Sequence, residues 1–97
     1  MPVKTLEPEE FKEWLEAKDK GAIVGISRSC GTCPLANYLN QINPSCGSAA
    51  VLGRFWHVGP VSGDLDQWAK DFISLVDTTE LAAISREQAL EMLKFCL

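Results

Sequence analysis

Apolar residues recur at helical spacing in four segments of this 97-residue chain, and each segment begins with a helix-start signal. The first two begin at Pro8 and Pro34, and proline suits the first helical position because its missing N–H would have no partner there. The other two begin at Asp64 and Ser85, each followed three residues later by a glutamine in a capping-box pattern. The pattern therefore predicts four amphipathic helices, the first of which stops at Gly21 in the left-handed conformation that glycine favours.

Two runs of β-branched and aromatic residues predict strands. Residues 22–27 read AIVGIS and are bounded by turn signals, which is typical of a short buried strand. Gly25 within this run would allow another part of the chain to approach closely. Residues 48–61 fit either two short strands around Gly53-Arg54 or one bent strand with a glycine bulge. The chain thus supplies two or three strands.

The predicted order of elements is helix, strand, helix, strands, helix, helix. A chain of 97 residues has room for one domain. We therefore expect residues 1–97 to form a single small α+β domain, with about four helices packed on a two- or three-stranded sheet.

Composition narrows the classes of partner. The chain is 46% hydrophobic and 23% charged, which is typical of a globular domain and excludes a disordered one. Its net charge of -4 argues against a nucleic-acid partner, because duplex-binding proteins carry basic patches. No apolar run is long enough to cross a bilayer, and residues 1–10 lack the apolar core of a signal peptide. We therefore expect a cytoplasmic protein without a nucleic-acid or membrane partner.

Cys30 and Cys33 form a Cys-x-x-Cys motif between a predicted strand and a predicted helix. Free N–H groups at a helix N-terminus stabilise a thiolate, and the nearby Arg28 adds positive charge, so the motif has a physical reason to be reactive. Residues 22–42 resemble the strand–CxxC–helix segment of thioredoxin-like proteins. That resemblance implies thiol–disulfide exchange, with Cys30 as the attacking thiol and Cys33 as the resolving thiol. The rest of the chain departs from that family, because Pro60 follows a predicted strand where the family has a proline that opens one.

The same cysteines also fit a zinc site. Cys30, Cys33, Cys46 and His57 follow the pattern C-x2-C-x12-C-x10-H, and three thiolates with one imidazole would satisfy tetrahedral Zn²⁺. Cys46 and His57 are, however, farther apart than the second ligand pair of most structural zinc sites. A third interpretation is that the thiols are structural, because free cysteine packs as a small hydrophobe. Cys96 fits that role, and His57 is then an ordinary strand histidine.

A wider resemblance extends over most of the chain. The segments CPLANYL at 33–39, RFWHV at 54–58, DLDQWAKDF at 64–72 and ISREQAL at 84–90 resemble a group of small bacterial proteins, some carried by phages or plasmids. The resemblance implies no particular activity. It implies that Cys33, before Pro-Leu-Ala, is the typical cysteine of the group and that the Cys-x-x-Cys spacing is incidental.

The sequence offers no paired carboxylates, nucleotide-binding loop or nucleophile–base pair. This favours a non-enzymatic binding or accessory module that needs no cofactor, with another protein or a second copy of the chain as its partner. The apolar end of the chain supports the same idea. We expect Leu90, Leu93 and either Phe95 or Leu97 to be buried against the domain or against a second copy related by a two-fold axis.

Overall fold

A computed structural model describes residues 4–97, so residues 1–3 of the predicted domain lie outside the described residues. The described chain is α+β, with four helices as predicted. Its elements are, in order, α1 (Pro8–Glu16), β1 (Ile23–Ile26), α2 (Pro34–Ile42), β2 (Ala49–Val51), β3 (Phe55–Val58), β4 (Val61–Asp64), α3 (Gln67–Thr78), β5 (Ala83–Ser85) and α4 (Arg86–Lys94).

The strands form two antiparallel sheets instead of one. β1 pairs with β5 in a two-stranded sheet, while β2, β3 and β4 form a three-stranded meander. The described chain therefore has five strands, whereas the sequence predicts two or three. β4 follows β3 across the two-residue turn Gly59-Pro60, in which Gly59 has φ +58°. A glycine with positive φ at the first position of such a turn matches the twist of the paired strands. β4 is not evident in the sequence because it is polar, and β5 is hidden because it has only three residues.

Two helix boundaries differ from the sequence expectation. α1 ends at Glu16, so Gly21 does not stop the helix, although it has φ +81° in the turn that follows. α3 begins at Gln67 with Asp66 in the N-cap position. Asp64 pairs with β3 as the last residue of β4, so the capping box predicted there does not form.

α2 and α4 begin where the sequence predicts. Cys33 precedes Pro34 in the N-cap position of α2. At α4, the Ser85 hydroxyl accepts from the N–H of Gln88 at 3.2 Å, and the Gln88 side chain accepts from the N–H of Ser85 at 2.9 Å. The longest helix, α3, has 12 residues, and no helix within residues 4–97 is long and apolar enough to cross a membrane.

The end of the chain is only partly buried. Leu93 is fully buried and Leu90 packs against the edge of the core. Phe95 and Leu97, one of which the sequence places in the core, are 77% and 61% exposed. Neither is buried against its own domain, because α4 ends at Lys94 and the residues beyond it leave the helical face that Leu93 occupies. Burial of Phe95 or Leu97 against a second copy stays a prediction.

Phe11 joins three helices at the centre of the core. Its ring is fully buried and meets Tyr38 of α2 and Phe72 of α3 edge to face, with ring centroids 5.3 and 5.2 Å away. Trp14 and Trp68 lie beside it with centroids 5.9 and 6.1 Å away, and both are only partly buried. Aromatic pairs of this geometry add to the stabilisation that burial itself gives.

Gly25 brings β1 against the start of α2. A Cβ atom on Gly25 would lie 2.3 Å from the backbone nitrogen of Pro34, so the close approach expected from the sequence is confirmed. A β-bulge between Ile23 and Gly25 breaks the alternation of the strand. As a result Val24 and Gly25 are both buried, while Ile23 and Ile26 are both exposed.

We expect Gly25→Ala to lower the free energy of unfolding by about 1–3 kcal/mol, because the added methyl group must displace the backbone of α2. Gly31→Ala is the matched control, since a Cβ atom there meets nothing within 4 Å. Urea unfolding followed by circular dichroism measures both variants. Equal unfolding midpoints for the two would contradict this account of the β1–α2 contact.

Candidate functional site: a dithiol pocket at the start of α2

Cys33 caps the first turn of α2. Its Sγ atom accepts a hydrogen bond from the N–H of Ala36 at 3.4 Å, and Pro34 fills the first helical position. Serine, threonine and aspartate usually perform this role, because a helix begins with N–H groups that have no partner within it. The thiol that the helix N-terminus contacts is therefore Cys33. Cys30 lies three residues before the cap, so the two thiols of the motif have different positions relative to the helix.

The loop between β1 and α2 is held by its own backbone. The Ile26 N–H donates to the carbonyl of Thr32 at 2.8 Å, and the Cys33 N–H donates to the carbonyl of Ser29 at 2.9 Å. The side-chain amide of Asn37 donates to Thr32 as well, at 3.0 Å. These bonds fold the loop back on the strand that precedes it and fix the position of both cysteines.

Arg28 ties this loop to the end of α3. Its φ of +56° lies in the left-handed region, where a residue with a side chain is strained. Its N–H donates to Asp77 Oδ1 at 3.1 Å, and its guanidinium donates to the carbonyl of Thr79 at 2.8 Å. These two bonds offset the strain. Because the guanidinium is bound to Thr79, Arg28 holds the loop against the segment that follows α3.

Both cysteines of the motif open into one pocket of about 390 Å³. Cys30 is exposed and Cys33 is buried. The other lining residues come from the loop, from the end of β2 and from α3, and they are Arg28, Ser29, Val51, Leu52, Gly53, Ile73 and Asp77. The N–H of Val51 donates to the carbonyl of Cys30 at 2.9 Å, which holds the motif against the three-stranded sheet.

Burial controls the chemistry of Cys33. Burial raises the pKa of its thiol to about 11, although the N–H groups of Ala36 and Leu35 act in the opposite direction. The negative charges of Asp77 and of a Cys30 thiolate raise this pKa further. Cys33 therefore keeps its proton at neutral pH, which suits a structural cap or a resolving thiol and does not suit an attacking thiol.

The structure does not bring the four predicted zinc ligands together. Cys46 lies in the loop after α2, half-buried against the core, and His57 lies on β3 opposite Ala50 and Ser62. Neither lines the pocket of Cys30 and Cys33. Within residues 4–97, no three His, Cys, Asp or Glu side chains are grouped so as to hold a metal ion.

Asp77 is the pocket residue that the sequence analysis missed. It binds the N–H of Arg28, 49 residues away along the chain. A carboxylate in the last turn of a helix is unfavourable next to the negative end of the helix dipole. Asp77 lies in the last turn of α3. Its unfavourable position is the feature of the sequence that could have indicated a role outside the helix.

Comparison of the chain with protein-family models, with curated proteins and with solved structures found no match.

We expect the stability of the folded chain to fall as the pH rises from about 9 to about 11. The pKa of the Cys33 thiol is ordinarily 9.0 and is about 11 in the folded chain. As the pH rises, the unfolded chain therefore loses this proton first, which stabilises the unfolded state relative to the folded state. The contribution of the Cys33 thiol to the free energy of unfolding is fully present below pH 9. Above that pH it declines by at most about 1.4 kcal/mol per pH unit.

Urea unfolding at several pH values, with reductant present, measures this decline. Cys33→Ser should flatten it, because serine still caps the helix but does not titrate in this range. Cys46→Ser is the control, because Cys46 lies outside the pocket of Cys33, and it should keep the wild-type slope. A Cys33→Ser chain with the same slope as the wild type would show that the thiol of Cys33 is not responsible.

Proposed function

We propose that this chain is a non-enzymatic binding module that pairs with a second copy of itself through the outer face of the β1–β5 sheet. The observation that carries the proposal is a group of aliphatic side chains left open on that face. Ile23 and Ile26 of β1 are 59% and 41% exposed, and Leu81 is 40% exposed. A two-stranded sheet is only marginally stable in water unless its faces are packed, so an open aliphatic face favours a partner.

The β-bulge is what places these side chains together. Ile23 pairs with Ser85 and Ile26 pairs with Ala83, and residues directly opposite each other in an antiparallel pair share a face. Ile23 and Ile26 are three residues apart and would point to opposite faces in a regular strand. The bulge between Ile23 and Gly25 shifts the register by one residue, so both isoleucines face outward. Leu81, which is also exposed, lies two residues before Ala83, just outside β5.

The charge distribution supports contact between identical chains. A net charge of -4 makes two copies repel each other in general. The outer face of the sheet, formed by Ile23, Ile26, Ala83 and Ser85, carries no charged residue. Arg86 and Glu87, which follow it, form an ion pair with each other. A two-fold contact places the same patch of both chains face to face. An uncharged aliphatic patch is suited to such a contact, because no like charges meet across it.

The free thiols support a cytoplasmic location as part of the same proposal. Cys30, Cys33, Cys46 and Cys96 are all free. Unpaired cysteines are typical of reducing compartments, whereas secreted domains of this size usually contain disulfides.

We expect light scattering after size-exclusion chromatography to give the wild-type chain twice the mass of one copy. Ile23→Glu combined with Ile26→Glu should give the mass of one copy, because carboxylates would then meet across the contact. The matched control is Val61→Glu combined with Leu97→Glu, since these residues are 42% and 61% exposed but lie on other elements. A monomeric wild type, or equal dissociation of both double variants that retain wild-type circular dichroism, would contradict self-association through this face.

Thiol–disulfide exchange is a second candidate, and one observation favours it. Cys30 and Cys33 line the same pocket, with one thiol exposed and the other buried. In such a reaction the Cys30 thiolate attacks one sulfur of a substrate disulfide and expels the other sulfur as a thiolate. Cys33 then gives up its proton, for which Asp77 is an acceptor in the same pocket, and attacks Cys30. The first substrate sulfur leaves as a thiolate, so the substrate is reduced by two electrons and the protein keeps a Cys30–Cys33 disulfide.

This candidate predicts that brief treatment of the native chain with iodoacetamide modifies Cys30 and spares Cys33. It also predicts that Cys33→Ser traps a mixed disulfide on Cys30 when the chain is incubated with oxidised glutathione, whereas wild type proceeds to the internal disulfide. Cys46→Ser combined with Cys96→Ser is the control and should behave as wild type. If peptide mapping of the oxidised wild type finds no Cys30–Cys33 linkage, the candidate is wrong.

A further inference from the structure

The turn before α2 brings two free thiols into one pocket. The N–H groups of Thr32 and Cys33 both donate to the carbonyl of Ser29, at 3.3 and 2.9 Å, so residues 29–33 form a closed turn. A turn of this kind brings residues that are three apart near each other. Cys30 and Cys33 are three apart, both line the pocket and both are free. The fold therefore presents two sulfur atoms to the same small space.

The number of ligands decides which metal ion suits this pair of thiols. Nowhere in residues 4–97 are three His, Cys, Asp or Glu side chains grouped for a metal, so the pocket offers the two sulfur atoms alone. Zn²⁺ takes four ligands, and Mg²⁺ and Ca²⁺ take oxygen ligands. Cu(I) prefers thiolate sulfur. Its filled d shell imposes no fixed geometry, and two strongly donating thiolates satisfy its single positive charge.

The walls of the pocket favour a soft ion over a strongly hydrated one. Val51, Leu52 and Ile73 give it aliphatic walls, and Val51 and Ile73 are buried. A hard cation such as Mg²⁺ gives up its water reluctantly and would lose it against such walls. A Cu(I) ion bound by two thiolates needs no water ligand. Cys30 is exposed, so the ion can enter from its side and reach the buried Cys33.

The charges around the sulfur atoms also suit this complex. A Cu(I) ion with two thiolates carries one net negative charge. The N–H of Ala36 donates to Cys33 Sγ at 3.4 Å, and the N-terminus of α2 carries a partial positive charge. Arg28 and Asp77 line the same pocket with opposite charges, which offset each other. The N–H groups of the helix therefore decide the balance, and they favour a negatively charged complex.

We propose that Cys30 and Cys33 together bind one Cu(I) ion through their two sulfur atoms. The ion forms a bond to each sulfur and each thiol gives its proton to solvent, so two protons leave and no electron is transferred. This inference goes beyond the proposed self-association and does not depend on it, because the pocket and the outer face of the β1–β5 sheet are different surfaces. It does not depend on thiol–disulfide exchange either, because both thiols stay reduced.

The test measures competition for Cu(I) between the fully reduced chain and the coloured chelator bicinchoninate, without oxygen and with Cu(I) supplied as its acetonitrile complex. We expect the wild-type chain to bind one ion. Loss of a group that only supports a metal site weakens binding by about 10- to 100-fold, so loss of a ligand in Cys30→Ser or Cys33→Ser should weaken it by about 100-fold or more. Cys46→Ser combined with Cys96→Ser is the matched control and should keep the wild-type affinity.

Asp77→Asn tests whether sulfur alone holds the ion. The amide oxygen can still accept from the N–H of Arg28, and a negative charge beside the complex is removed, so this variant should bind Cu(I) at least as tightly as wild type. X-ray absorption spectroscopy of the loaded wild-type chain should show sulfur as the only kind of neighbour of copper.

Four results would overturn the proposal. They are a wild type that binds Cu(I) no more tightly than Cys30→Ser, an equal loss of affinity in the Cys46 and Cys96 double variant, weaker binding by Asp77→Asn, and release of the bound Cu(I) by an equal concentration of Zn²⁺. A chain that fails to bind Cu(I) but still forms the Cys30–Cys33 disulfide contradicts this inference alone and leaves thiol–disulfide exchange in place.

Discussion

The contact between Gly25 and Pro34 is the constraint on which the rest of the structure depends. With no side chain at Gly25, the backbone of α2 can begin directly on β1. The strand accommodates this contact with a β-bulge, which turns Ile23 and Ile26 to the same outer face. The same contact places Cys33 under the first turn of α2, where it is buried. One close approach therefore shapes both the sheet face and the dithiol pocket.

Two opposing effects meet at Cys33. The first turn of α2 offers N–H groups that favour a thiolate, and burial in the pocket favours the neutral thiol. Burial is the larger effect, so the thiol keeps its proton and still accepts a hydrogen bond from Ala36 as a cap. Cys30 lies outside the helix and is exposed, so two residues of the same type, three positions apart, have different surroundings. This asymmetry follows from their positions relative to the helix and not from their spacing.

The charges of the chain are unevenly distributed over its surfaces. Glu7, just before α1, and Glu10 and Glu13 within it line an open cavity of about 680 Å³ between α1 and α2, while the outer face of the β1–β5 sheet carries no charged residue. α1 can carry Glu10 and Glu13 because its other side is anchored by Phe11 and Leu15, both fully buried. A single amphipathic helix thus contributes the centre of the core on one side and an open acidic cavity on the other.

The sequence by itself determined the α+β class, the bounds of α2, the Ser85 cap of α4 and the close approach at Gly25. Most of these features depend on hydrogen bonds and packing within a few residues of the chain. The close approach at Gly25 depends on the absence of a side chain in glycine. Only the tertiary structure decided that β5 pairs with β1, that Asp64 belongs to a strand, and that Asp77 joins Arg28 across 49 residues. It also separated Cys46 and His57 from the two other cysteines and left Phe95 and Leu97 exposed. Strand pairs, pockets and ligand sets form between distant segments, and the pattern of neighbouring residues does not specify which segments meet.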